Sequence, residues 1–224
     1  MTASKTAKNS KKAKLESKTS LPKLSTSGRH IAITCIAVLL TVVGYSNATK
    51  GEFVYDDEYQ IVKNPLIKPG GDLVKALSSD VWQFRAGVEE QRSNYWRPLF
   101  IGWLVLNYRL FGTNPAGWHV MNILIHLLVT LLGYRLLLSM PASPTVAAIA
   151  TWIFATHPAH VQCVTWISGS PDLLMSLFLM GSMIAYLTSK KTTHWGLRIA
   201  AVALFFCALL SKEAAISFVG RYFS

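Results

Sequence analysis

Between Trp118 and Leu138 the chain is almost wholly apolar, with Arg135 its single formal charge. A helix needs roughly 20 such residues to cross the hydrocarbon core of a bilayer. Shorter apolar runs recur at Ile31 to Tyr45, Phe100 to Leu110, Thr145 to Thr156, Pro171 to Leu187 and Trp195 to Leu210, and Ala214 to Val219 opens another. The pattern predicts an all-α, multi-pass transmembrane helical protein. Composition agrees: of 224 residues 51% are hydrophobic and 15% charged, with a mean hydropathy of +0.34. Soluble chains carry roughly a quarter charged residues.

The net charge of +11 is concentrated at the start. Lys5, Lys8, Lys11, Lys12, Lys14, Lys18, Lys23 and Arg29 stand against Glu16 alone, in a Ser/Thr-rich setting. Residues 1–29 therefore read as a disordered basic tail on the cytoplasmic side, facing anionic headgroups or water. Charge alone permits a nucleic-acid partner, but no interleaved aromatic residues support one, and none is expected. The tail and the run after it are too long for an ordinary signal peptide, so residues 30–46 read as an uncleaved first span. Cys35, Cys163 and Cys207 form no Cys-x-x-Cys pair and give no framework.

Residues 47–117 read as an outer loop. Pro65, Pro69, Gly70 and Gly71 break it, and Asp72 and Asp80 each sit where a short helix would begin. Trp82, Phe84, Tyr95 and Trp96 suit a membrane interface, so short interfacial helices lying along the surface are expected here. Pro98 fits a first helical turn, and Phe100–Leu110 is too short to cross comfortably. Residues 118–224 hold the remaining spans. If Phe100–Leu110 does not cross, the basic tail, Arg135 and the Lys190–Arg198 connection share the cytoplasm, as the positive-inside rule asks. The acidic run after the first span, the His157/His160 pair and the Lys212-Glu213 step then meet on the opposite face.

Those groups are the candidate site. Asp56, Asp57 and Glu58 lie in a row close to the membrane; the plain alternative is a solvated loop with a helix cap. Arg97 can grip phosphate oxygens in pairs or snorkel to headgroups. His157 and His160 have a spacing that suits metal, but Pro158 breaks the turn and no further ligand pair is near, so hydrogen bonding or phosphate binding is favoured. Lys212 and Glu213 interrupt an apolar run; snorkelling and helix capping are the plain readings. Asn122 and His126, one helical turn apart, read as interhelical hydrogen bonds. Asn47-Ala48-Thr49 fits a glycosylation pattern but hugs the membrane.

The stretches Phe53-Val-Tyr-Asp-Asp-Glu-Tyr-Gln-Ile-Val-Lys-Asn64-Pro65, Tyr95-Trp-Arg-Pro-Leu99, Phe111 to His126, His157-Pro-Ala-His160 with Trp166-Ile-Ser-Gly-Ser-Pro-Asp172, and Ser211-Lys-Glu-Ala-Ala215 occur in an order that resembles one family. It is the N-terminal membrane region of the transmembrane protein O-mannosyltransferases with tetratricopeptide repeats and their bacterial relatives, of the GT-C glycosyltransferase class. The resemblance covers residue 30 to the end. It departs at Gln162, where relatives often carry Glu, and at Ser170, where many carry Arg or Lys.

The resemblance implies a glycosyltransferase moving a sugar, with mannose expected, from a polyprenyl-phosphate donor to a protein hydroxyl or other acceptor such as a glycan, at the outer membrane face. Asp56 or Asp57 would be the base. Glu58, Arg97, His157, His160, Lys212 and Glu213 would line the substrate and lipid-phosphate site. Such donors need no nucleotide, so neither cofactor nor metal is expected. The bacterial inner membrane is favoured, or the endoplasmic reticulum membrane in a eukaryote. The chain as given is expected to hold only part of the substrate groove and to be truncated and inactive alone. The rival reading is a non-catalytic membrane scaffold that keeps the fold.

Overall fold

A computed structural model describes residues 25–85 and 95–218, and these are helical or irregular with no strand among them. Most of the basic tail, residues 1–24, lies outside the described residues. The chain divides into two compact units, Met1–Cys35 and Ile36–Ser224, each described by itself. Helix α1 (Thr26–Tyr45) starts in the first and continues into the second, and it begins earlier than the apolar run does. The reason is a cap: Ser25 Oγ accepts from Gly28 N at 3.1 Å, so the helix takes in Ser27, Gly28 and Arg29. At ~1.5 Å per residue the added turn brings α1 to the ~30 Å of a bilayer core.

In the second unit the elements follow as α2 (Leu73–Ser78), α3 (Pro98–Phe111), α4 (Pro115–Ser139), α5 (Pro144–Thr156), α6 (Val161–Thr165), α7 (Ser170–Thr192) and α8 (Trp195–Ser211). Short 3-10 or π turns lie between them. The starts follow local chemistry. Asp72, Asn114 and Ser143 accept from the amides of Lys75, Ala116 and Val146, and Pro98, Pro115 and Pro144 take first positions. Gly112, with φ of +55°, ends α3 in a conformation that disfavours other side chains.

Three segments are long and apolar enough to cross a membrane: Thr26–Lys50, Pro115–Ser139 and Ile167–Thr192. Pro98–Phe111, Pro144–Thr156 and Trp195–Ser211 are apolar but shorter. This is an all-α membrane protein. The inside-out patterning of α4 fits that class. Val120, Leu124 and Leu128, spaced one turn apart, are exposed, while His119, Asn122, His126 and Thr130 are buried. In lipid the apolar stripe faces outward and polar groups turn toward other helices, where they find partners. Asn122 Nδ2 donates to Val164 O at 3.4 Å and His126 Nε2 contacts Ala155 O at 3.1 Å, as the interhelical reading expects.

Helices α7 and α8 form the most extensive helix pair, and Ser182 Oγ donates to Ala201 O at 2.7 Å across it. The main core gathers Phe100 and Leu104 of α3, Trp118 and Val129 of α4, Val164 of α6 and Leu173 and Leu174 of α7. Trp118 is buried, with Nε1 donating to Gly112 O at 3.0 Å. Removing such a side chain costs about 3–5 kcal/mol.

The segment after α1 packs into this same core instead of only lying along the surface. Ile61, Ile67, Ala76 and Val81 are buried in it, because they supply apolar groups between the polar breaks. Val74, Tyr95 and Trp96 stay exposed, and Trp96 Nε1 donates to Leu77 O at 2.9 Å. Residues 86–94 of this loop lie outside the described residues.

Candidate functional site

The acidic run is divided by a tight turn. Asp57 N donates to Val54 O at 3.0 Å, and the Asp57 Oδ2 atom accepts from Val54 N at 3.2 Å. This double closure encloses Tyr55 and Asp56. Tyr55 has φ of +51°, a left-handed conformation rare for a bulky residue, while its side chain is 85% exposed. The turn sends the two aspartates opposite ways. Asp57 has no exposed surface, whereas Asp56 is half-buried and its side chain has no partner among the described residues.

Asp57 is held from across the chain. Its Oδ1 accepts from Ser168 N at 2.8 Å and from Ser168 Oγ at 2.5 Å, in the 3-10 turn Ile167–Gly169 just before α7. Burial pushes the Asp57 carboxyl up from the ordinary aspartate value. The Ser168 hydroxyl, the Val54 and Ser168 amides and the nearby His119 pull it back part of the way. Beside it, the buried His119 ring occupies the space next to Gly51, with Nε2 3.0 Å from where a Cβ on that glycine would stand.

Glu58 lies apart from the latch, 3.3 Å from Lys63 Nζ, both side chains about half exposed. The other candidates pair among themselves. Arg97 donates to both Glu213 oxygens, from Nε at 2.9 Å and Nη2 at 2.6 Å, and its guanidinium lies over the Tyr95 ring at 4.7 Å. Lys212 Nζ meets Asp172 Oδ1 at 2.6 Å. In each pair the cation is the more buried member: 16% exposed against 56% for the first, 26% against 45% for the second. Arg97 holds Glu213 below the ordinary glutamate value.

The histidines form a separate stack. His157 Nδ1 accepts from Ala159 N at 3.2 Å, so this ring caps the turn Pro158–His160. His160 packs on Phe154 at 4.3 Å between ring centroids, 5.4 Å from His126 and 5.9 Å from His157. Burial, then the neighbouring His157, lowers the His160 pKa, favouring a neutral ring. A neutral imidazole offers a phosphate a hydrogen bond but no charge. Among the described residues no group of three His, Cys, Asp or Glu side chains is placed to hold a metal ion.

The structure thus brings Asp57 to the start of α7, and joins that start, through Asp172, to the Lys212-Glu213 step and Arg97. Sequence reasoning left Ser168, Asp172 and His119 without roles. Ser168 and Asp172 lie in the Trp166–Asp172 motif, and His119 is one turn from Asn122; those were the available signals.

No family model matches the chain, and no solved structure matches it. Similarity to known proteins is nevertheless clear. A protein O-mannosyl-transferase of Caenorhabditis elegans is 30% identical over 195 residues, 86% of this chain and 27% of that protein. Protein O-mannosyl-transferase TMTC1 of Homo sapiens is 32% identical over 187 residues, 79% of this chain and 21% of that protein. The chain is a homologue of the N-terminal membrane region of the protein O-mannosyl-transferases. Tmtc1 of Drosophila melanogaster, 31% identical over 178 residues, matches 80% of this chain and 21% of its own. The chain spans about a fifth to a quarter of the length of these relatives.

Proposed function

We propose that this chain is the membrane part of a glycosyltransferase that moves a sugar, mannose, from a polyprenyl-phosphate carrier to a protein hydroxyl at the outer membrane face. The observation that carries the reading is the division of the aspartate pair: one carboxylate is buried and bonded, and its neighbour is half-buried with no partner among the described residues. The names of the relatives supply the sugar and the reaction class.

In this reading Asp56 is the general base. Its carboxylate takes the proton of the acceptor hydroxyl while that oxygen forms a bond to the anomeric carbon. The bond from that carbon to the phosphate oxygen breaks on the opposite side, the electron pair leaves with the lipid phosphate, and the centre inverts. Arg97 and Lys212 receive the phosphate and offset its charge. Both already hold carboxylates, so the phosphate exchanges with Glu213 and Asp172, the outer and more exposed partners. Glu213 and Glu58 then act on cations, not on the phosphate, and His160 serves as a neutral donor. The host membrane is one that carries polyprenyl donors, bacterial inner membrane or endoplasmic reticulum; the relatives named above are animal proteins.

The saturation of Arg97 and Lys212 favours the second reading, a scaffold that keeps the fold without the chemistry. Sugar transfer by the natural full-length protein from polyprenyl-phosphate mannose in proteoliposomes separates the two. Asp56→Asn is expected to lower kcat by about 100-fold or more, the scale of a lost general base. Unchanged transfer in Asp56→Asn removes the assigned base. Single cysteines beside Asp57 and His160 are expected to label from the same side of the membrane, opposite the basic tail.

A further inference from the structure

We infer that Ser168 is a positioning residue for the transfer reaction: by gripping Asp57 it holds the strained Tyr55 turn that presents Asp56 to the acceptor. The inference rests on the transferase reading above. A left-handed backbone at a bulky residue costs about 1–3 kcal/mol and persists only where surrounding contacts over-determine it. Tyr55 supplies little itself, since its side chain is 85% exposed. The contacts that hold the turn are therefore the closures between Val54 and Asp57, and these depend on where the Asp57 side chain is fixed.

Ser168 fixes it. A carboxylate with no exposed surface is costly unless its oxygens are bonded. One Asp57 oxygen takes both the amide and the hydroxyl of Ser168, at 2.8 and 2.5 Å, which leaves the other for Val54 N. A hydroxyl donating to an ionised carboxylate makes a charge-assisted bond, stronger than a neutral one. It spans 111 residues of chain, so the loop that carries the base is anchored to the turn that starts α7. Without the hydroxyl, Asp57 keeps one long-range donor and can swing, and the Val54–Asp57 ring loses its fixed corner. Asp56 lies inside that ring, and its carboxylate moves with it. Displacing a catalytic group by an ångström is enough to cost 100-fold in rate.

The test uses the natural full-length protein in proteoliposomes with polyprenyl-phosphate mannose, and three forms: wild type, Ser168→Ala and Ser168→Thr. Ser168→Ala is expected to lower kcat at least 10-fold while the KM for the donor stays within twofold. Ser168→Thr, which keeps the hydroxyl, is expected to restore kcat to within about threefold of wild type. Wild-type kcat in Ser168→Ala, a changed KM at constant kcat, or equal loss in Ser168→Thr overturns the inference. Hydrogen–deuterium exchange supplies a readout independent of transfer. Exchange in peptides covering residues 52–58 is expected to rise at least 10-fold in Ser168→Ala, with α4 and α7 unchanged, and to return to wild type in Ser168→Thr. Unchanged exchange in 52–58 of Ser168→Ala refutes the latch, and so does lost protection of 52–58 in a folded Ser168→Thr, the arm that decides if Ser168→Ala unfolds as a whole. Absence of transfer in wild type refutes the transferase reading while exchange still reports on the latch.

Discussion

Asp57→Asn and Asp56→Asn differ by a few atoms and should behave as opposites. At position 57 one oxygen accepts two bonds from Ser168 and the other accepts one from Val54 N. Asparagine has a single oxygen. Turned toward Ser168 it keeps both bonds there, and its amide group then faces the part-buried Val54 N–H, donor against donor. A fully buried donor left unsatisfied costs about 1–3 kcal/mol, and this part-buried one falls toward the lower end. The two surviving bonds also change from charged to neutral, which roughly halves them. Against this, the amide escapes the desolvation that pushes the Asp57 carboxyl up. The balance is a loss of about 1–2 kcal/mol. At position 56 no bond among the described residues is lost, and the expected change is within about 0.5 kcal/mol. Thermal unfolding in nanodiscs, followed by tryptophan fluorescence, reads the difference, and sugar transfer reads the chemistry. Asp57→Asn should melt several degrees lower, while Asp56→Asn should melt with wild type and lose transfer. Equal melting of the two variants, or a lower midpoint for Asp56→Asn, refutes the division of roles.

Gly169→Ala should destabilise by about 1–3 kcal/mol in the same melting assay, the scale of overpacking, because its Cβ would lie 2.8 Å from Gln162 O and the turn that carries Ser168 must move. Cys163 should label slowly with maleimide at neutral pH and faster as pH climbs toward 11, since burial, and then Asp172, push its thiol up to about 11; the neutral thiol is a poor nucleophile. The Arg97–Glu213 pair should weaken in acid. Its folded glutamate lies below the ordinary value of 4.5, so its contribution is complete above that value and is lost as pH falls through the lowered one. The melting difference between wild type and Glu213→Gln should therefore be present at pH 7 and vanish in strong acid.

The apolar runs and the caps were legible along the chain because each is a local property. Trp118–Leu138 reads as a span from its own residues, and Pro98 and Asp72 announce helix starts from theirs. The buried polar face of α4 was visible in the spacing of Asn122 and His126, and periodicity carried it. The start of α1 was misplaced by a turn because the Ser25 cap outreaches the apolar run.

That this is a helical membrane protein, and which polar residues interrupt its spans, follows from the order of residues alone. What those residues do follows from how the helices pack. Asp56 and Asp57 are adjacent and chemically identical; a left-handed Tyr55 and a serine 111 positions away make one a buried anchor and leave the other without a partner among the described residues. Arg97 and Glu213 lie 116 residues apart, and Lys212 and Asp172 lie 40 apart. Pairings of that reach depend on how helices stack, which is set by the whole core and is written in no single stretch of chain.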